Sequence, residues 1–414
     1  MASSSDTLFI QFYKTNVSTK ILVNGEYINL IGDHKEYDLC NGFSQTHYSC
    51  KKRGDFLWYF YDLDGTMEEV LERNRGLTLP ISRGTVYVSA FYNVHMYQAY
   101  LWAQEYPEIH FIVGGPAVDM DKVQGELPKN LELYEGTLHE RFGEDPQWGI
   151  EIPKEISGKI MFSYPIEKNC YWGICTFCGI KQEVMKEPIN YSFMQDLPPG
   201  NQYFVFLNTF AMSPEFMKNN LHKFRYKGPR DCFWTYVRAD KRILEVLDPS
   251  FRRCAEEGFD LRRFWWLVGL EFPSNRMLKH MKKGTTLKNI LEFCKIAEDH
   301  GTKLVISTIF GWNNLTKEDV EEGKEFLASL RDVTAGKALI RCHYLVSKPL
   351  APMYGKQDLD FRVVKKGPFV LGKIPFMNDE QRRLNDEMLE FLYSCQFRGI
   401  REPYSDGNFA YDLL

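Results

Sequence analysis

From Lys159 onward, short apolar runs alternate with amphipathic stretches six times over. The runs are "KIMFSY", "YFVFLNTF", "CFWTYVRA", "RFWWLVGLEF", "KLVISTIFGW" and "ALIRCHYLV". Their β-branched and aromatic content reads as strands. Between them, "PEFMKNNLHKF", "RILEVLDPSFRRCAEEGF", "NRMLKHM", "TLKNILEFCKIAEDHG" and "KEDVEEGKEFLASLRD" carry helical periodicity. A Thr before the apolar run and Gly301 after the helix supply caps. Six β/α units in series favour parallel strands and a partial or full barrel. Such barrels bind ligands at the carboxyl ends of their strands.

The first half is less regular. "LFIQFY", "TKILVNGEYINLI" and "FLWYFYDL" read as strands, with "NGEY" as a hairpin turn. From Gly84 the order is strand "TVYVSAFY", helix "NVHMYQAYLWAQEY", strand "IHFIV" and glycine turn "GGPAV". That is a βαβ unit, which favours a parallel sheet with a crevice at its carboxyl edge. The Pro-, Gly- and charge-rich "HERFGEDPQWGIEIPKEISGK" marks a domain boundary. "YDLDGTMEEV" has the letters of a phosphotransferase loop without partner motifs in later strands, and reads as a turn and a capped helix.

A chain of 414 residues suits two domains. With 44% hydrophobic residues and a net charge of -4, it has the balance of a globular core and no broad nucleic-acid surface. The 15% aromatic content means either a bulky core or a cleft for a flat, partly apolar ligand. No apolar stretch reaches membrane-spanning length, and the start lacks a basic region followed by an apolar run. Seven of the ten cysteines are scattered, as reduced thiols are, so a cytoplasmic protein is expected.

The other three, Cys170, Cys175 and Cys178, lie within nine positions just after the first of the six strands. Zinc usually takes four ligands in paired spacings, and no second pair is present. A ferredoxin-type cluster uses C-x4-C-x2-C with a distant fourth cysteine, a role open to Cys232 or a later one. A [4Fe–4S] cluster on three cysteines leaves one iron open to substrate or cofactor. Spacing does not separate the last two, but the place at a strand end favours catalysis.

The chain from Lys159 to Tyr354 resembles the radical S-adenosylmethionine (radical SAM) superfamily. The resemblance rests on the cysteines and on a succession of features: Arg-x-Asp after a strand, Ala-Glu-Glu-Gly, Gly-Leu-Glu, Met-Lys-Lys-Gly-x-Thr, a strand ending in Gly, and "YLVSKPLAPMY". Members usually have C-x3-C-x2-C; here the first gap is one residue longer. The resemblance implies that Cys170, Cys175 and Cys178 bind three irons while SAM chelates the fourth. One electron then cleaves SAM to methionine and a 5′-deoxyadenosyl radical, which takes hydrogen from substrate. It further implies Phe177 near the adenine, and Asn208 and Thr209 at the methionyl or ribose groups. Arg238 would fork onto the SAM carboxylate, or else form a surface salt bridge with Asp240. Glu271 would project into the barrel mouth. Thr308 and Gly311 would lie at the next strand end, Gly311 also reading as a turn residue.

Ahead of the barrel, "TVYVSAFYNVHMYQAYLWAQEYPEIHFIVGGPAV" resembles the latter half of the Rossmann-like domain of the cobalamin-dependent branch. Ser89, Gly114 and Gly115 stand where that branch holds the cobalamin tail. No Asp-x-His-x-x-Gly precedes them, and Asp33 and His34 read as a loop; a degenerate domain without cofactor is the alternative. The expected fold class is thus α/β. A Rossmann-like domain spans residues 1–150, a partial (β/α)6 TIM-like radical SAM barrel 151–355, and a helical capping segment 356–414. The expected activity is C-methylation of a natural product or peptide with cobalamin, or epimerisation, cyclisation or rearrangement without it; a non-catalytic iron–sulfur or zinc protein is the alternative from another class. The expected partners are a small-molecule or peptide substrate and an external flavodoxin- or ferredoxin-type reductant, with neither nucleic acid nor membrane.

Overall fold

The computed structural model describes residues 6–15, 20–23, 26–29, 36–38, 53–61, 67–90, 93–115, 117–120, 123–136, 138–143, 152, 156–168, 170–178, 185–186, 189–208, 211–345 and 361–401. The fold is α/β with parallel sheets. The first half holds strands β1 (Thr7–Thr15), β2 (Lys20–Val23), β3 (Glu26–Asn29), β4 (Glu36–Asp38), β5 (Asp55–Phe60), β6 (Gly84–Ser89), β7 (Ile109–Gly114) and β8 (Leu131–Leu133). Its helices are α1 (Met67–Asn74), α2 (Asn93–Glu105) and α3 (Leu138–Phe142). Strands β5, β1, β6, β7 and β8 lie side by side in that order, all parallel. Of these five the second in sequence is outermost and the first sits beside it, the arrangement of flavodoxin-like doubly wound sheets.

The second half contributes β9 (Lys159–Pro165), the short antiparallel pair β10 (Glu167–Lys168) and β11 (Met185–Lys186), β12 (Gln202–Asn208), β13 (Cys232–Val237), β14 (Phe264–Glu271), β15 (Lys303–Phe310) and β16 (Leu339–Tyr344). Strands β9, β12, β13, β14, β15 and β16 pair in chain order, every pair parallel. Returning the chain to the same end are α4 (Pro214–Asn220), α5 (Lys241–Glu256), α6 (Asn275–His280), α7 (Leu287–Asp299) and α8 (Lys317–Val333). Thr286 caps α7, and Thr316 caps α8 in a capping box with Asp319.

Strand β4 pairs antiparallel with β1 and parallel with β9, so the two sheets are continuous. After residue 356, where a helical segment was expected, the chain forms more than a helix. It makes a hairpin of β17 (Phe361–Lys366) and β18 (Phe369–Pro375), then α9 (Asp379–Ser394) and the edge strand β19 (Gly399–Arg401). Gly367, at φ +53, makes the tight hairpin turn. Strand β19 extends the sheet beyond β16, and the β2–β3 hairpin adds to it antiparallel.

Side-chain alternation gives the six-strand run two different faces. Ile160, Phe162, Val205, Phe233, Trp266, Val268, Leu304 and Ile306 point toward the helices and form one core with Phe216, Leu247, Phe251, Phe293 and Phe326. On the opposite face Phe204, Phe206, Trp234, Tyr236, Trp265, Val305, Ser307 and Arg341 are half-buried. Among the described residues no helix is long and apolar enough to cross a membrane.

Candidate functional site

The loop after β9 carries the three cysteines at the carboxyl end of the six-strand run. Cys170 and Cys175 are buried and Cys178 is half-buried. All eight described cysteines are free thiols. The segment after α6 backs the loop. Trp172 Nε1 donates to the Lys282 carbonyl at 2.7 Å, and the Thr176 N–H donates to Met281 at 3.0 Å. The Trp172 N–H lies 3.4 Å from the Cys170 sulfur.

Arg238, directly after β13, reaches into this loop. Its Nε donates to Asp240 at 3.3 Å, Nη2 donates to the Lys283 carbonyl, and Nη1 stands 3.6 Å from the Cys175 sulfur. The guanidinium also lies 4.6 Å from the Trp172 ring centre. Asp240 accepts from Tyr171 at 3.1 Å and caps α5 through Ile243 N–H at 3.2 Å. The Arg238–Asp240 pair is therefore a buried ion pair and not the surface salt bridge that the sequence also allowed; both side chains are no more than 5% exposed. Buried pairs of this kind are kept where breaking one partner strands the other.

A register shift between Gly269 and Glu271 disturbs the end of β14, and Glu271 takes φ +65. The bulge re-aims the carboxylate. It pairs with buried Lys283, whose ammonium also lies 5.6 Å from the Phe177 ring centre. A Cβ at Gly269 would come within 2.7 Å of Lys283 Nζ, so glycine makes room for the pair. Burial pushes the Cys175 thiol up, Lys283 and Arg238 draw it down, and Glu271 and Cys170 raise it. Soft thiol donors flanked by two cations suit an iron–sulfur cluster, since the cations favour the thiolate that binds metal. Among the described residues no three His, Cys, Asp or Glu side chains converge for a single ion.

Of the residues predicted from sequence, Cys170, Cys175, Phe177, Arg238 and Glu271 thus share one neighbourhood. Thr308 does not join it: its hydroxyl is buried and donates to the Arg341 carbonyl at 3.3 Å within the sheet. Gly311, at φ +85, donates its N–H to Asn385 of α9 at 2.8 Å, which is the role of a turn residue. Asn208 ends β12 beside Pro165. Thr209 and the Asp33–His34 loop lie outside the described residues. Lys283 and Gly284 were not assigned from sequence; their signal is the "MKKG" run ahead of the capped α7.

Ser89 and Gly114 are register partners at the carboxyl ends of β6 and β7. Gly115 takes φ +109, and a Cβ there would lie 2.6 Å from the Ala90 carbonyl, so the turn itself requires glycine. Gly114 is different. A Cβ there would make ordinary contacts with the Tyr134 and Gly136 carbonyls at 3.5 and 3.8 Å, so the turn itself does not require glycine at this position.

No family model matches the chain. A structure of the radical S-adenosylmethionine methyltransferase TsrM from Kitasatospora setae, with cobalamin and [4Fe–4S] cluster bound, aligns over 99% of this chain and 95% of that one, with TM-score 0.52 and 10% identity. The two proteins share a fold. A second TsrM structure, with tryptophan substrate and a SAM analogue, aligns over 94% and 89% at the same TM-score and 11% identity. The cobalamin-dependent radical enzyme OxsB aligns at TM-score 0.48 and 11% identity, over 78% of this chain and about half (52%) of OxsB. By sequence, a protein of Methanocaldococcus jannaschii provisionally named a methylthiotransferase is 26% identical over 197 residues, 44% of this chain. The match spans 43% of that relative's own length.

Proposed function

We propose that the chain is a radical SAM enzyme, with an N-terminal Rossmann-like domain ahead of a partial (β/α)6 barrel, and that it methylates carbon with the help of cobalamin. The observation that carries this reading is the three-cysteine loop at the first strand's carboxyl end, braced by Arg238 and by residues 281–284. Cys170, Cys175 and Cys178 would hold a [4Fe–4S] cluster. Phe177, Asn208, Thr209 and Glu271 are proposed to line the SAM site, and Ser89, Gly114 and Gly115 to hold cobalamin; the bare backbone at Gly114 suits a close ligand approach. Bound, these groups would supply one-electron cleavage of SAM and a transferable methyl group.

The chain's own part is to orient and to exclude water. Arg238 has its donors engaged by Asp240, Lys283 and Cys175, and so fixes the loop. Lys283 holds Glu271 ready, and a hydrogen-bonding group of SAM would compete for that carboxylate. A small-molecule or peptide substrate, an external one-electron reductant of flavodoxin or ferredoxin type, and a cytoplasmic location complete the reading. Gly115 is explained by its own turn, and this favours the second reading: radical chemistry without cobalamin, leading to epimerisation, cyclisation or rearrangement.

The test is anaerobic reconstitution with iron, sulfide and hydroxocobalamin, followed by assay of 5′-deoxyadenosine from SAM under reducing conditions. We expect a cluster absorption band, retained cobalamin, and deoxyadenosine that disappears in Cys175→Ala. SAM cleavage without retained cobalamin selects the second reading. No cleavage by the reconstituted protein refutes both.

A further inference from the structure

We propose that Arg341 is the substrate-recognition residue of this enzyme, and that the substrate joins a flat apolar body to a carboxylate or similar oxyanion. This deepens the radical SAM reading and rests on it for what happens above the site. The half-buried face of the six-strand run carries a platform of rings. Phe206 stacks on Trp234 with centroids 4.2 Å apart, and Tyr236 meets Phe206 edge-on at 5.4 Å. Trp265 is the register partner of Trp234 and continues the row. Helices cover the other face, and these rings are half-buried on the face that the helices do not cover.

Cations approach this face at several points, and most are answered. Arg238 is paired with Asp240, Lys283 with Glu271, and Lys303 lies 4.8 Å from the Trp265 ring centre. Among the described side chains of this face, Arg341 on β16 is the exception. Its Nε is buried from solvent with no hydrogen-bond partner among the described residues. A guanidinium N–H that has lost water without gaining an acceptor carries a desolvation cost, which an oxyanion bound at the guanidinium would offset.

The register shows where that anion would lie. Ser307 pairs with both Gly269 and Arg341, so the three share one row of the sheet. Arg341 is two strands, about 10 Å, from Gly269, where the Glu271–Lys283 pair sits. An anion anchored at Arg341, with the Ser307 hydroxyl beside it, would lay a planar body across the strands toward that pair and the cysteine loop.

The experiment is equilibrium dialysis of anaerobically reconstituted protein with naphthalene-2-carboxylate and its neutral isostere naphthalene-2-carboxamide. We expect the carboxylate to bind about tenfold or more tightly in the wild type. That preference should vanish in Arg341→Gln and persist in part in Arg341→Lys, with circular dichroism confirming that both variants fold. Equal binding of the two probes, no binding of the carboxylate at millimolar concentration, or a preference that survives Arg341→Gln overturns the proposal. SAM binding is read in the same cells. An Arg341→Gln protein that loses SAM but keeps the preference assigns the guanidinium to SAM and also overturns it. A wild-type protein with the preference but no 5′-deoxyadenosine leaves Arg341 as an anion site and overturns the enzyme reading alone.

Discussion

At the scale of single residues, the cysteine loop depends on what stands behind it. Gly284 has φ +68, and a Cβ there would overlap the Trp172 ring. Gly284→Ala therefore adds both backbone strain and a clash that displaces Trp172 from its bond to Lys282. We expect the variant to fold, with a near-native circular dichroism spectrum, and to retain less than half the wild-type iron after reconstitution. Full iron retention would mean the loop holds its shape without that support. The three cysteines were legible because their spacing is a local property of the chain. Lys283 was not, because its partners Glu271 and Phe177 come from the end of β14 and from the cysteine loop, and a lone Lys-Lys-Gly carries no mark of what it will face. Thr308 was misplaced because alternation along β15 turns it, with Ile306 and Phe310, toward the helices, while its neighbour Ser307 faces the other side.

At the scale of elements, Asp319 ties two helices together. Its carboxylate completes the capping box of α8, accepts from Ser274 Oγ at 2.6 Å at the start of α6, and pairs with Arg276 at 2.9 Å. Burial works to raise its pKa, but the bonds from Arg276, Ser274 and the Thr316 N–H outweigh it and hold the carboxyl below the usual range. A depressed folded-state pKa contributes stability above the unfolded value of about 3.9, lost as pH falls through the lower folded value. Asp319→Asn should cost about 1–3 kcal/mol at pH 7 by urea denaturation. The gap between variant and wild type should narrow below about pH 4; a constant gap would show that charge is not the source. The strands and helices of the six-strand run were readable because each has a clear period of its own, and Thr316 and Thr286 mark helix starts in the sequence. The β17–β18 hairpin was not foreseen, because two six- to seven-residue strands around Gly367–Pro368 gain their stability from a distant surface.

At the scale of the whole molecule, that surface is formed by helix α2 and residues 123–125 of the first half. Phe369 is 1% exposed inside the first-half core and meets Tyr100 edge-on at 5.8 Å. The Pro368 carbonyl accepts from Gln124 N–H at 2.8 Å. Phe369→Ala should destabilise the protein by about 3 kcal/mol. Hydrogen exchange should show the added opening in β6, β7 and α2; loss confined to β17–β18 would mean the hairpin is a passive appendage. No local pattern announces such a contact, since it joins residues more than two hundred positions apart. Its consequence concerns the order of events during translation. A first domain ordinarily folds as it leaves the ribosome, ahead of the rest. Here the first-half core lacks an aromatic plug until the chain has grown past Phe369, a delay on the order of tens of seconds at ribosomal speed. The half-made protein must pass that interval with a gap in its first core, and the late hairpin acts as the latch that ends it.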